Sequence, residues 1–473
     1  MSSISVPAQI PSHAIPTAKK RVAKLTLWPL VAATFFMVSG GTYGTEGVVS
    51  GAGYGHGILI LLFLPVLWCL PTAFMIGELS SALPAEGGYY AWVRRGLGNF
   101  WGFQEAWLSL AASIFDMAIY PTLFVFYLKQ MSPWFGSPSH GVLAGLFVVV
   151  TCAALNVAGI RVVGITSLWL FFLLSAPFAV IVVMAPFKAG ALAGAGQGAT
   201  EATGLGLLGG VLVAMWNYMG WDNASTIAQE VERPQRTYPR AMIAAVVLVA
   251  LTYVLPFLAV YFTGIPASAF GSDGAWATIA GLIGGKILGF EWLRFLIVIG
   301  GMMSAFGMFN ALVMSYSRLP LAMARDGMLP KVFAKTNAKT QAPWVAILAC
   351  AACWALCLGL KFEKLVTLDI MLYGASLMLE FVTLVVLRIR EPELKREFRV
   401  PGGLAGAITC GIFPLLLMSL AMVKSRSETI LGINGMVFGG IIISAGFVLY
   451  WATKRLRRSV IAPAATPNAA TGD

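Results

Sequence analysis

Long apolar runs separated by short polar segments dominate the pattern of this 473-residue chain. Crossing about 30 Å of hydrocarbon takes roughly 20 helical residues, and twelve runs approach or exceed that length. They cover residues 27–49, 57–83, 100–128, 141–159, 164–186, 205–230, 241–263, 292–319, 343–360, 364–388, 404–423 and 434–453. None alternates with the period of two that marks a membrane β-strand. The pattern therefore predicts an all-α polytopic membrane protein with twelve transmembrane helices.

Composition and charge agree with a membrane location. The chain is 58% hydrophobic and 11% charged, which is outside the range of water-soluble domains of this length. About three-quarters of its 32 Lys and Arg residues lie in segments that share the side of the N-terminus. The positive-inside rule then places both termini in the cytoplasm of a cell membrane, inner or plasma. The net charge of +12 faces anionic headgroups of the bilayer, so we do not expect nucleic-acid binding.

A single membrane domain, residues 25–456, is predicted between two polar tails. Residues 1–24 are expected to form a disordered cytoplasmic tail without a cleavable signal, and residues 457–473 a second cytoplasmic tail. The sequence contains no HExxH or GxSxG motif, no GxGxxG that opens a βαβ unit, and only an incomplete phosphate-binding loop at residues 281–286. The six cysteines lie inside predicted spans, where they are expected to pack between helices. We therefore predict no enzyme activity, catalytic residue, metal or cofactor.

Two predicted spans contain breaks. Residues 39–47 include four glycines and Glu46, and residues 216–223 place polar and bulky side chains inside an otherwise apolar run. Unwinding would expose backbone N–H and C=O groups that a substrate carboxylate or ammonium could satisfy. The alternative is that small residues only allow close helix packing. Breaks at corresponding positions of two halves favour an inverted repeat with a binding site at the midplane.

The candidate site combines residues from both breaks with nearby ionisable and aromatic groups. The predicted substrate-binding residues are Ser39, Gly40, Gly41, Thr42, Tyr43, Gly44, Asn217, Tyr218, Trp221 and Asp222. The predicted gate comprises Tyr43, Trp216, Tyr218 and Trp221, whose rings could cover a substrate or hold an ammonium. Ser304 is a candidate partner, with carbonyls of the first break, for a bound cation; the alternative is a hydrogen bond to its own helix.

Buried acids are expected to face a cavity or a partner, because a charge at the bilayer centre is costly. Asp116, Glu46 and Asp222 are candidates for proton coupling or for a substrate counter-ion. The alternatives are a neutral packing carboxyl for Asp116 and a helix cap for Glu46. Glu78 is expected to contact inner-loop arginines, and Glu105 has no assigned role. Four acids near the pathway, Glu46, Glu105, Asp116 and Asp222, exceed what a zwitterion with one ammonium needs. This number favours cationic amines or basic amino acids as substrates, or proton coupling through one of the acids, while neutral amino acids stay open.

Three segments resemble signatures of the amino acid-polyamine-organocation superfamily. They are residues 229–240, 317–330 and 398–403, in the order and membrane context of that superfamily. Ser39 to Gly41, Glu46, Gln104 with Glu105, and residues 116–121 and 221–225 look most like its polyamine:proton symporter branch.

The resemblance implies ten core helices in two inverted five-helix repeats with helices 1 and 6 broken. The repeats would cover about residues 25–187 and 204–390, and two peripheral helices about residues 404–456. It implies a secondary transporter that imports amino acids or polyamines by alternating access, with H⁺ as the expected coupling ion. A neutral amino acid uniporter or exchanger is the main alternative, and a channel or membrane scaffold a lesser one. The oligomeric state stays open.

Overall fold

Helices account for most of the computed structural model, which describes residues 24–193, 204–272, 274–360, 362–425, 429–430 and 432–461. Residues 1–23 and 462–473, the greater part of the predicted tails, lie outside this description. Numbered in chain order, the α-helices are α1 Leu27–Val38, α2 Glu46–Leu64, α3 Leu70–Ala82, α4 Tyr89–Leu97, α5 Asn99–Met131, α6 Pro138–Ala158, α7 Ile160–Met184, α8 Gly204–Asn217, α9 Pro234–Thr263, α10 Ala275–Gly284, α11 Trp292–Tyr316, α12 Arg318–Arg325, α13 Trp344–Ala355, α14 Phe362–Arg390, α15 Gly403–Ser425 and α16 Gly435–Ile461. Two short antiparallel strands, Thr429–Ile430 and Ile433–Asn434, precede α16.

The spans of the described residues agree with a polytopic membrane protein. Nine helices in this part of the chain are long and apolar enough to cross a bilayer, and three shorter apolar helices, α1, α10 and α13, accompany them. The prediction of twelve spans therefore stays a prediction. One of the nine runs from Glu46 to Ala82 and joins α2, a π-helical turn at Pro65–Cys69, and α3. It contains a non-helical residue, Gly53 (φ 72°), between the first two predicted spans.

The centre of the bundle is α5, most of whose length is buried. It packs against α14 and α11, and α2 packs against α8. Gly51 and Gly206 allow α2 and α8 to approach closely, because a Cβ at either position would lie within 2.6 Å of the carbonyl oxygen of the other. The helices α15 and α16 are far less buried and lie at the periphery.

An ion cluster ties α3 to the end of α14 and to the segment that follows it. Glu78 is fully buried and forms ion pairs with Arg388 and Arg396. Its Oε2 also accepts a hydrogen bond of 2.7 Å from the backbone N–H of Val400. The structure thus shows the predicted contact between Glu78 and arginines. Nearby, the half-exposed Arg95 forms a two-pronged pair with Glu391 and lowers the pKa of that carboxyl.

The burial of Glu78 predicts a large loss of stability when its charge is removed. Glu78→Gln leaves two buried guanidinium groups short of a carboxylate, which costs about 3–5 kcal/mol for a buried pair. Glu391→Gln removes one carboxylate from a more exposed pair, for which about 0–1 kcal/mol is expected. Thermal unfolding of both purified variants in the same detergent measures the difference. Equal shifts in Tm would contradict a structural role for the Glu78 cluster.

Candidate functional site

The first break separates α1 from α2. Helix α1 ends at Val38, and the chain is non-helical until Glu46. Gly41 and Gly44 adopt φ of 76° and 83°, a region that favours glycine. Ser39 begins the turn, and its Oγ accepts a hydrogen bond of 3.0 Å from the N–H of Gly41.

Neighbouring helices satisfy the carbonyls that this unwinding exposes. The Ser304 hydroxyl of α11 donates to the Gly40 carbonyl. The Trp276 indole of α10 donates to the Thr42 carbonyl at 3.1 Å. The Asn217 amide at the end of α8 donates to the Gly44 carbonyl at 3.1 Å. The hydrogen bond between Asn217 and Gly44 joins the two predicted breaks.

The second break follows Asn217, where α8 ends. Gly220 has φ 89°, and a 3-10 segment, Trp221–Glu230, continues the chain. A Cβ at Gly220 would lie 2.5 Å from the Met37 carbonyl oxygen, so a residue without a side chain is needed at this crossing. The two breaks are therefore adjacent.

A buried cavity lies beside both breaks. Its lining residues are Met37, Val38, Asp116, Tyr120, Trp216, Asn217, Met219, Gly220, Asn223, Met308, Tyr316, Asp369 and Tyr373. Its volume of about 20 Å³ is enough for roughly one water molecule. The structure is thus closed around this position.

The three predicted acids are all buried, with different partners. Asp116 accepts hydrogen bonds from the hydroxyls of Tyr120 (2.7 Å) and Tyr316 (3.2 Å) and lines the cavity. Asp222 accepts one of 2.6 Å from the Tyr373 hydroxyl. Glu46, at the start of α2, accepts one of 2.9 Å from the hydroxyl of Tyr127.

The aromatic residues predicted as a gate lie in different places. Trp216 lines the cavity, with its ring centroid 6.4 Å from that of Tyr120. Tyr43 packs edge-on to Phe178 at 4.8 Å. Tyr218 and Trp221 are completely buried in the core. Their side chains donate to the backbone carbonyls of Leu61 and Tyr218, respectively.

Helix α14 adds two cavity residues that the sequence reasoning missed, Asp369 and Tyr373. The Tyr373 hydroxyl accepts a hydrogen bond of 3.1 Å from the Gly220 N–H while it donates to Asp222. Both lie four residues apart inside the tenth predicted span, on one helical face. An acid within an apolar span was the available signal.

The sequence model of the amino acid permease family matches residues 31–454 of this chain. The chain belongs to that family. The permease is 33% identical over 450 residues to "Polyamine transporter RMV1" of Arabidopsis thaliana, covering 93% of this chain and 89% of that protein. It is also 33% identical over 450 residues to "Polyamine transporter PUT1" of Oryza sativa subsp. japonica, covering 94% and 82%. A probable polyamine transporter of Arabidopsis thaliana is 35% identical over 432 residues, covering 90% and 86%.

These matches confirm the predicted superfamily resemblance and make the permease a multi-pass membrane transporter rather than an enzyme. The names of these relatives concern polyamines, which carry several ammonium groups. The cavity of this permease presents carboxylates and aromatic rings, groups that attract cations.

The double role of the Tyr373 hydroxyl makes it a test of the second break. Tyr373→Phe keeps the ring but leaves Asp222 and the Gly220 N–H without this partner, at a cost of about 1–3 kcal/mol for a buried group. We expect a lower Tm and at least a severalfold lower transport rate. Tyr261→Phe, at an exposed position, is the matched control. An unchanged Tm and transport rate in Tyr373→Phe would show that the bridge is dispensable.

Proposed function

We propose that this permease is a secondary transporter that imports polyamines by alternating access, driven by an inward proton gradient. The observation that carries the proposal is the presence of Asp116 and Asp369 on the lining of one buried cavity. Among the described residues of that lining there is no Lys or Arg. Two carboxylates without a cationic side chain favour a ligand that brings its own positive charge.

The remaining lining fits an amine with an apolar stem. Trp216 and Tyr120 offer ring faces to an ammonium group. Val38 and Met308 offer apolar surface for methylene groups. Asn217 and the turn around Gly41 are the proposed polar contacts from the two breaks. In this proposal Asp116 and Asp369 are counter-ions for separate ammonium groups.

Alternating access explains why a binding cavity is closed. A space of about 20 Å³ admits no polyamine, so helices must move apart on one side at a time. The breaks beside the cavity allow half-helices to move separately. Tyr43, packed between Tyr127 and Phe178, is the proposed gate on the side of α2.

We further propose twelve spans in two inverted repeats, in the cell membrane and with both termini on its cytoplasmic side.

Protons are the proposed coupling ion because several carboxylates, Asp116, Asp222 and Asp369 among them, are buried inside the described bundle. The Ser304 hydroxyl, the candidate cation ligand, donates a hydrogen bond to the Gly40 carbonyl. Buried carboxylates bind and release protons when their surroundings change. Acids on the pathway can therefore link an inward proton flow to amine uptake.

The substrate and the driving ion are tested together in proteoliposomes. We expect uptake of labelled putrescine and spermidine, accelerated by an inward proton gradient in the absence of sodium. Arginine and leucine are the comparison substrates. Uptake of leucine without the polyamines would favour a neutral amino acid uniporter or exchanger. Gradient-independent uptake of polyamines would refute proton coupling but leave the substrate proposal intact.

Asp369→Asn tests the second counter-ion. A hydrogen bond to a charged group is worth about 1.5–3 kcal/mol, which corresponds to about 10- to 150-fold weaker binding of spermidine. Competition against labelled spermidine measures the change. Glu291→Gln is the control, because Glu291 pairs with Arg294 and Lys286 at a partly exposed position. Unchanged spermidine affinity in Asp369→Asn would remove Asp369 from the site.

A further inference from the structure

Helices α5 and α14 run antiparallel in a register that their own contacts define. The hydroxyls of Ser109 and Ser376 lie 2.9 Å apart, so these two residues face each other. Further along α5, the Phe126 ring packs 6.1 Å from the ring of Phe362, which lies nearer the start of α14. Residue numbers thus rise along one helix as they fall along the other.

This register sets two pairs of acids opposite each other. Asp116 lies seven residues after Ser109 on α5, and Asp369 lies seven residues before Ser376 on α14. Because the helices are antiparallel, both acids lie on the same side of the facing serines. On the other side, Glu105 lies four residues before Ser109, and Glu380 lies four residues after Ser376. On each helix the two acids are eleven residues apart, about 16 Å along one face. The first pair lines the substrate cavity, and the second lies in the core away from it.

The carboxyl groups of the second pair are buried and short of hydrogen-bond partners. Both side chains are completely inaccessible. Glu105 Oε1 accepts hydrogen bonds from the hydroxyls of Ser376 (2.6 Å) and Ser109 (3.4 Å), while its Oε2 has no partner. Neither oxygen of Glu380 has one. An ionised carboxylate left in this state is strongly disfavoured, whereas a protonated one is not.

The ionisable groups around this pair add no positive charge. Asp222 from the 3-10 segment, Tyr89 from α4 and Tyr373 of α14 lie within electrostatic range of Glu380. The hydroxyl of Tyr89 is also buried without a partner. In the described part of the chain, no Lys or Arg forms an ion pair with Glu105 or Glu380.

The nearest cation along α14 serves another carboxylate. Arg388 lies two helical turns beyond Glu380 and is paired with Glu78. Neighbouring carboxylates without a cation cannot both ionise cheaply, because each negative charge disfavours the other. A proton bound to either glutamate removes one of the two charges.

We propose that Glu105 and Glu380 form the coupling-proton site of this transporter, separate from the substrate acids Asp116 and Asp369. The pair binds one proton from solution on a carboxylate oxygen and releases it to the other side when the surrounding helices open. This assignment rests on the proposed function, to which it adds the location of the proton. In this proposal Glu105 and Glu380 are the residues that carry the coupling proton.

A physical route links this pair to the substrate cavity. Asp222 is in electrostatic range of both glutamates and accepts the hydrogen bond of Tyr373, which lines the cavity. Tyr373 in turn holds the Gly220 N–H at the second break. The charge on the pair therefore acts on the broken segment that borders the substrate. Proton binding can bias that segment toward one conformation, which is what coupling requires.

Glu380→Gln and Glu105→Gln mimic the protonated pair and separate the two transport modes. Spermidine accumulation driven by a proton gradient is expected to fall about tenfold or more, while exchange against preloaded spermidine stays within about twofold. A trapped pH dye should register proton entry with spermidine in the parent protein and not in the variants. Glu291→Gln is the matched control and should behave as the parent protein does.

Infrared spectroscopy tests the proton itself. The parent protein at neutral pH should show the carbonyl stretch of a buried carboxylic acid, and that band should shift or vanish in both variants. Absence of the band, or unchanged gradient-driven accumulation in Glu380→Gln, would overturn the proposal. Equal loss of both transport modes in folded variants would overturn it too and point to substrate binding or structure.

Failure of the proposed function would look different. If the parent protein exchanged no spermidine, the polyamine assignment would fall, while the infrared band would still report whether the pair holds a proton. If exchange were present and the band absent, only the proton site would fall. The Tm of each variant establishes that it is folded before transport is compared.

Discussion

The need to satisfy backbone polar groups away from water organises this permease. Two helices unwind in the middle of the bundle, and the carbonyls of Gly40, Thr42, Gly44 and Asn217 each accept a hydrogen bond from another element. Ser304, Trp276 and Asn217 serve the first break, and the Tyr253 hydroxyl holds the Asn217 carbonyl at 2.7 Å in the second. Unwinding in an apolar setting is stable only with such partners. The surrounding helices are therefore part of the site, because their side chains stabilise the unwound backbone of both breaks and keep the breaks adjacent.

Buried charge is handled in two ways, according to position. At the end of α14, Glu78 is neutralised by two arginines, so that cluster contributes to structure. At the centre, Asp116 and Asp222 are held by tyrosine hydroxyls, which orient a carboxylate without cancelling its charge. An arginine beside them would compete with a cationic substrate. The contrast between ion-paired and hydroxyl-bonded acids thus distinguishes the Glu78 cluster from the proposed site.

The closed cavity and the facing acids on α5 and α14 lie along one contact between these two helices. The two helices share a long contact, and the second break lies against it through Tyr373. In the proposed mechanism, a change of charge on either helix would reach that break through direct contacts and short-range electrostatic interaction. Substrate binding and proton binding, as proposed, would thus act on the same moving element from different depths of one interface.

The sequence by itself determined the membrane class, the family and the two breaks, because apolar length, motif strings and clustered glycines are local properties. It marks Asp369 and Glu380 as acids within an apolar span, but it could not show which neighbouring helix their common face meets. Nor could it decide that Trp216 borders the cavity while Tyr218 and Trp221 are core. These outcomes depend on which neighbour each helical face meets. Only the packing of α14 onto α5 sets Asp369 opposite Asp116 and Glu380 opposite Glu105, since register between distant segments is a tertiary property.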